Sequence, residues 1–152
     1  MGTGWALLES ARATVPAVLD SGVIETSADL PLEVRVHAIY DGVLGLLDKH
    51  APGLLVLEDL YAEYRFPRTA LLMAHARGVV CLAARQRGVP LLSLAPAVVK
   101  RVVAGHGAAS KAQVQQSMRR LLGLGALPRP SHVADALALA FTALSRGGAA
   151  LQ

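Results

Sequence analysis

Three polar side chains stand where chemistry could be done. Glu58 closes the apolar run Leu54-Leu55-Val56-Leu57, and His132 and Asp135 lie three residues apart where a helix is predicted to begin. Functional groups of α/β proteins gather at the carboxyl ends of strands, and residues three apart share a helical face. Together the carboxylates and the imidazole offer three oxygen or nitrogen donors. That is enough for part of a divalent-metal site of the kind that assists phosphodiester hydrolysis. Each group also has a plainer reading. Glu58 fits the first residue of a polar loop, and an acid such as Asp135 near a helix N-terminus is favoured by about 0.3–1 kcal/mol without any function. A single histidine is more often solvated or structural than a ligand.

The surrounding charge points to a polyanion. Residues 1–84 carry six basic and ten acidic side chains, whereas residues 85–152 carry nine basic ones against a single acid, Asp135. Such asymmetry suggests a phosphate-binding face built from the second half, although an ordinary solvated surface has the same look. Lys100, Arg101, Lys111, Arg119 and Arg120 suit phosphate contacts. Just after Glu58, Tyr61-Ala62-Glu63-Tyr64-Arg65-Phe66 holds three of the six aromatics in the chain. Rings beside a cleavage site could stack on unpaired bases at about 1–3 kcal/mol each, or simply pack on the protein. Gly2-x-Gly4 and Gly105-x-Gly107 are too short to be nucleotide-binding fingerprints.

The elements that must hold these residues can be read from periodicity. Trp5–Leu8 and Val18–Thr26 read as strands, the second broken by Ser21-Gly22, with a hairpin turn around Arg12–Pro16. Leu32, Val36, Ile39, Val43 and Leu46/Leu47 place an amphipathic helix over 31–49. Leu54–Leu57 and Val89–Leu94 read as buried strands, and 67–87 as a long helix stopped by Gly88. A short helix spans Pro96–Ala104, and Ser110-Lys111-Ala112-Gln113 has the spacing of a capping box opening a helix to about Leu122. A last helix follows Ser131 and ends at Gly147-Gly148, leaving a frayed tail over 147–152. The order predicts one α/β domain over residues 1–146, a mixed sheet with helices packed on it.

Composition bounds the rest. The 152 residues are 53% hydrophobic and 17% charged, which excludes a disordered chain. No charge-free stretch approaches the ~18 apolar residues of a membrane span, and no basic segment followed by an apolar run opens the chain. Cys81 is the single cysteine, so neither an internal disulfide nor a cysteine-cluster zinc site is available. A soluble, cytoplasmic protein is expected.

Val56-Leu57-Glu58-Asp59, Ala76-Arg77-Gly78, Val99-Lys100, Gly105-x-Gly107, Ser110-Lys111-Ala112-Gln113-Val114 and His132-x-Ala134-Asp135-Ala136-Leu137 occur in that order. The set resembles the RuvC family of bacterial Holliday-junction resolvases, from about Gly2 to Arg146. The resemblance implies a ribonuclease-H-like fold, a two-fold homodimer and a metal-dependent site that nicks opposing strands of four-way junction DNA symmetrically. It also implies work alongside the RuvA–RuvB branch-migration machine. Carried onto this sequence, it makes Glu58, His132 and Asp135 the catalytic and metal-holding residues. Tyr61 becomes the aromatic at the junction centre, and Lys100 and Lys111 become DNA-binding lysines. The ion would be Mg²⁺ or Mn²⁺. His132 stands where the family commonly has aspartate, and imidazole suits Mn²⁺ better.

The family's opening strand, which ends in Asp-Pro-Gly and supplies the first catalytic aspartate, has no counterpart before Gly2-Thr3-Gly4. A preceding segment of roughly eight to ten residues is expected, lying centrally in the sheet. The alternative readings are a junction-binding module that does not cleave and another ribonuclease-H-like nuclease acting on RNA or flaps.

Overall fold

The computed structural model describes residues 2–10, 15–60 and 67–150, with side chains as far as Arg146. In chain order the elements are β1 (Gly2–Glu9), β2 (Ala17–Glu25), α1 (Leu32–His50), β3 (Leu55–Glu58), α2 (Pro67–Gln86), β4 (Leu91–Leu94), α3 (Pro96–Ala104), α4 (Lys111–Leu121) and α5 (Ser131–Ala150). Hydrogen bonds pair β1 with β2 and β3 with β4, giving two two-stranded sheets among the described residues.

Several boundaries differ from expectation, among them the start of β1, which lies at Gly2 rather than Trp5. β2 runs unbroken through Ser21-Gly22. Gly22 is there to make room, because a Cβ on it would lie 3.0–3.1 Å from the Trp5 indole. β4 starts at Leu91 rather than Val89, since the Val89 N–H is drawn back to the Ala84 carbonyl at 2.9 Å and Pro90 has no N–H to give. Pro90 still contributes its carbonyl, which accepts from the Leu55 N–H at 2.9 Å. α5 does not stop at Gly147-Gly148 but continues to Ala150. Two glycines cost helix about 1 kcal/mol each, and the alanines that follow are the strongest helix formers.

The chain divides into two compact units, one centred on Ile24–Ser93 and one combining Gly4–Val23 with the segment from Leu94 onward. In the first, α1 packs on α2. Ile39, Val43 and Leu47, one turn apart on α1, are buried with Val80 and Ala83 of α2, and Leu55 and Leu57 of β3 pack against them. Leu32, at the N-terminal end of the predicted α1 stripe, stays exposed.

In the second unit α3, α4 and α5 pack pairwise, burying Val99, Val103, Val114, Met118, Val133 and Leu137. The capping box forms as its spacing predicts. Ser110 Oγ accepts from the Gln113 N–H at 3.1 Å, and Gln113 Oε1 accepts from the Ser110 N–H at 2.8 Å. Gly105, at φ 86°, ends α3 and donates its N–H to the Arg101 carbonyl at 3.0 Å. The first glycine of Gly105-x-Gly107 is therefore a helix stop.

Arg87 on the chain just beyond α2 grips Asp48 of α1 with two nitrogens, Nε to Oδ1 at 2.6 Å and Nη2 to Oδ2 at 3.2 Å. These hydrogen bonds hold the Asp48 carboxyl below its ordinary value of 3.8. A depressed carboxyl contributes stability above its unfolded pKa and loses it as pH falls through the folded one. Asp48→Asn should therefore melt slightly below the parent at pH 7, with the gap closing as pH drops below the ordinary carboxylate range. Thermal melts from pH 7 down to pH 2 check this. A gap that stays constant would mean the effect is packing.

Candidate active site

Glu58 is the last residue of β3, and its side chain is exposed where the apolar strand gives way to Asp59. The end of that strand is fastened from α2. Arg77 donates Nε–H to the Glu58 carbonyl at 3.4 Å, and its Nη2 stands 3.5 Å from Asp59 Oδ1. The same Nη2 donates to the Ser93 hydroxyl on β4, and Nη1 lies 3.9 Å from Cys81 Sγ. One guanidinium, with 28% of its side chain exposed, thus joins α2 to the carboxyl ends of both strands. An arginine offers five donors in a rigid fork, so it can meet several acceptors at once.

In the sequence Arg77 stands out only as part of the Ala76-Arg77-Gly78 motif. The trace it left is Ser93, a hydroxyl within the apolar strand Leu91-Leu92-Ser93-Leu94.

His132 lies in the first turn of α5 and is exposed, and Asp135, three residues on and just past that turn, is half-buried on the same face. The turn is started by the Val133 N–H donating to the Pro130 carbonyl at 2.9 Å. Buried Val133 and Ala134 hold its other face in the core of the second unit. Lys100 lies half-buried on α3, Lys111 is the exposed first residue of α4, and Arg119 and Arg120 are exposed in the last turn of α4. Tyr61 lies outside the described residues.

Glu58 belongs to the first unit, and the His132–Asp135 pair to the second. By donor type the three suit a hard divalent cation. However, no group of three or more His, Cys, Asp or Glu that could hold a metal ion occurs among the described residues. His132 and Asp135 supply two donors, which is short of a metal cage.

A family model described as crossover junction endodeoxyribonuclease RuvC matches residues 1–143. The chain belongs to the RuvC family. RuvC of Rhodopirellula baltica is 40% identical over 137 residues, covering 90% of this chain and 76% of that protein. RuvC of Gloeobacter violaceus is 40% identical over 139 residues, covering 91% and 79%. Among solved structures, Thermus thermophilus RuvC superposes with a TM-score of 0.84 at 36% identity, over 98% of this chain and 89% of that one. The same RuvC in complex with Holliday junction substrate gives 0.87 at 36% identity, over 97% and 90%. The likeness carries to this chain the RuvC fold, a ribonuclease-H-like α/β arrangement of mixed sheet and flanking helices.

Arg77→Met should remove the guanidinium's ties from α2 to the two strand ends. Hydrogen bonds to charged groups are each worth about 1.5–3 kcal/mol, so a loss of about 2 kcal/mol in urea unfolding is expected. Arg77→Lys, which keeps the charge but not the fork, should recover only part of it. A Met variant as stable as the parent would mean that Arg77 ties nothing down.

Proposed function

We propose that this chain is a structure-specific DNA endonuclease that resolves four-way junctions by nicking opposing strands. The observation that carries the reading is the match over residues 1–143 to a family whose description is that activity. The position of Glu58 at a strand end and of His132 and Asp135 on one helical face supports it. So does a second half with nine cations and one acid. Residues 1–146 are taken as one functional nuclease domain.

Nuclease chemistry in this family depends on a metal, and a bound divalent ion supplies Lewis acidity and an activated water. In our reading Glu58, His132 and Asp135 are this chain's contribution to such a site, for Mg²⁺ or Mn²⁺, with the His132 imidazole favouring Mn²⁺. The further carboxylate that the resemblance calls for is not among these residues. Lys100 and Lys111 neutralise DNA phosphates, and Tyr61 stacks at the crossover and positions the scissile phosphate. The substrate would come from a RuvA–RuvB machine in the cytoplasm. No helix among the described residues is long and apolar enough to cross a membrane.

Gel shifts and cleavage assays with four-way, duplex and flap DNA, each with and without Mn²⁺, test this. Preferred binding of the four-way form is expected, with Mn²⁺-dependent nicking by protein that also carries the first catalytic aspartate the resemblance calls for. Binding without nicking would make the chain a non-cleaving junction module, and preferred cutting of flaps or RNA would make it a different nuclease. Lys100→Ala and Lys111→Ala should each weaken junction binding and lower the salt slope by about one unit per lost phosphate contact. Tyr61→Ala should spare binding and reduce nicking.

We also infer a homodimer built on α2. Leu71, Ala74, His75, Gly78 and Leu82 recur at three- and four-residue spacing and are all exposed, Leu71 at 63% and Leu82 at 50%. Ala70, which with Ala74 and Gly78 makes a stripe of small side chains at four-residue spacing, is half-buried. A Cβ on Gly78 would meet nothing within 4 Å, so its smallness is not required by its own chain. A two-fold contact between identical faces is the commonest route to a dimer. Light scattering at micromolar concentration should give a dimer mass for the parent and a monomer mass for Ala74→Arg. A monomeric parent would remove this face from the reading.

A further inference from the structure

Gly4 lies in the middle of a strand, where a residue without a side chain weakens the element. It makes up for this by an unusually close approach. A Cβ placed on it would stand 2.2 Å from the carbonyl oxygen of His132, 2.4 Å from the carbonyl carbon and 2.7 Å from the His132 Cβ. Non-bonded carbon contacts sit near 3.5 Å, so even one methyl group would push the two segments apart by about 1 Å. Two of the three atoms are backbone, and the carbonyl belongs to the first turn of a helix. No rotamer change can relieve the clash. Gly4 and His132 lie in the same compact unit, so this approach is internal to it.

The contrast with the second glycine of the hairpin is sharp. The three atoms nearest a Cβ at Gly22 all belong to the indole of Trp5, at 3.0–3.1 Å. A side chain can shift by a few tenths of an ångström where a helical backbone cannot.

We propose that Gly4 is a positioning residue. Its missing side chain lets β1 lie directly against the backbone of His132 and so fixes where the His132–Asp135 face of α5 stands. This accounts for half of the Gly2-x-Gly4 pair, which is too short to bind a nucleotide. The inference rests on the reading of His132 and Asp135 as site residues, and its first measurement does not depend on that reading.

The experiment compares Gly4→Ala, Gly22→Ala and the parent in the full chain. Nuclear magnetic resonance spectra of Gly4→Ala should move the amides of His132 to Asp135 and the ring signals of His132. Gly22→Ala should leave those signals in place while lowering the melting temperature through Trp5. On four-way DNA, Gly4→Ala should keep its junction affinity within about twofold and lose nicking by about 10- to 100-fold, the effect of a 1 Å misplacement at a reacting centre. Signals of residues 132–135 that superpose on the parent's, or that move equally in Gly22→Ala, would overturn the proposal. A parent that binds no junction would count against the endonuclease reading and leave the spectral comparison to decide on Gly4. If Gly4→Ala does not fold, hydrogen exchange of the parent decides. Residues 2–9 and 131–135 opening together supports the seat, and independent opening refutes it.

Discussion

A guanidinium can tie a helix to two strand ends at once only if those elements are held within a hydrogen bond of one another. Arg77 sets that condition in the first unit. It reaches from α2 to the Glu58 carbonyl, the Asp59 carboxylate and the Ser93 hydroxyl, so the ends of β3 and β4 are registered against the helix that joins them. The apolar contacts in this unit are less directional. Ile39, Val43 and Leu47 pack on Val80 and Ala83 by apolar burial, which would tolerate small slides. The Arg77 fork does not tolerate them. It holds the backbone of the exposed strand end that carries the Glu58 carboxylate.

The two units hold their proposed site residues by different means. Glu58 depends on a polar tie that crosses from helix to strand, whereas His132 and Asp135 depend on steric closeness between β1 and the start of α5. Charge is divided in the same way. The ion pairs Asp48–Arg87, Asp59–Arg77 and His37–Asp41 all lie in the first unit, where acids outnumber bases and local partners are at hand. In the second unit, residues 4–23 and 94–152, eight basic side chains stand against three acids, which leaves a net positive field.

What could be read from the sequence was local. The Ser110–Gln113 capping box, Pro96 opening α3 and the apolar spacing of α1 are each specified within a few residues, and each forms where the spacing placed it. Glu58 was legible because an apolar run ends on it. Features set by partners distant in sequence were misread or missed. Arg77 finds its acceptors 19 and 16 residues away, and nothing near it in the chain announces them. Ser21-Gly22 looked like a break because the Trp5 ring that needs the space is far along the chain. The steric demand on Gly4 comes from His132, at nearly the opposite end of the sequence.

The capping box of α4 has a consequence for how this protein responds to selection. It secures the helix start, so Lys111 at the first helical position sits at the positive end of the peptide dipoles, with no acid in that turn. There a negative side chain would be favoured by about 0.3–1 kcal/mol, and a positive one is disfavoured. If Lys111 meets a phosphate, its worth lies entirely in the complex. Heat tolerance and grip on DNA then pull this position in opposite directions. A search for thermostable variants that ignored DNA would exchange this lysine for an acid early and discard the contact without any sign of damage to the fold.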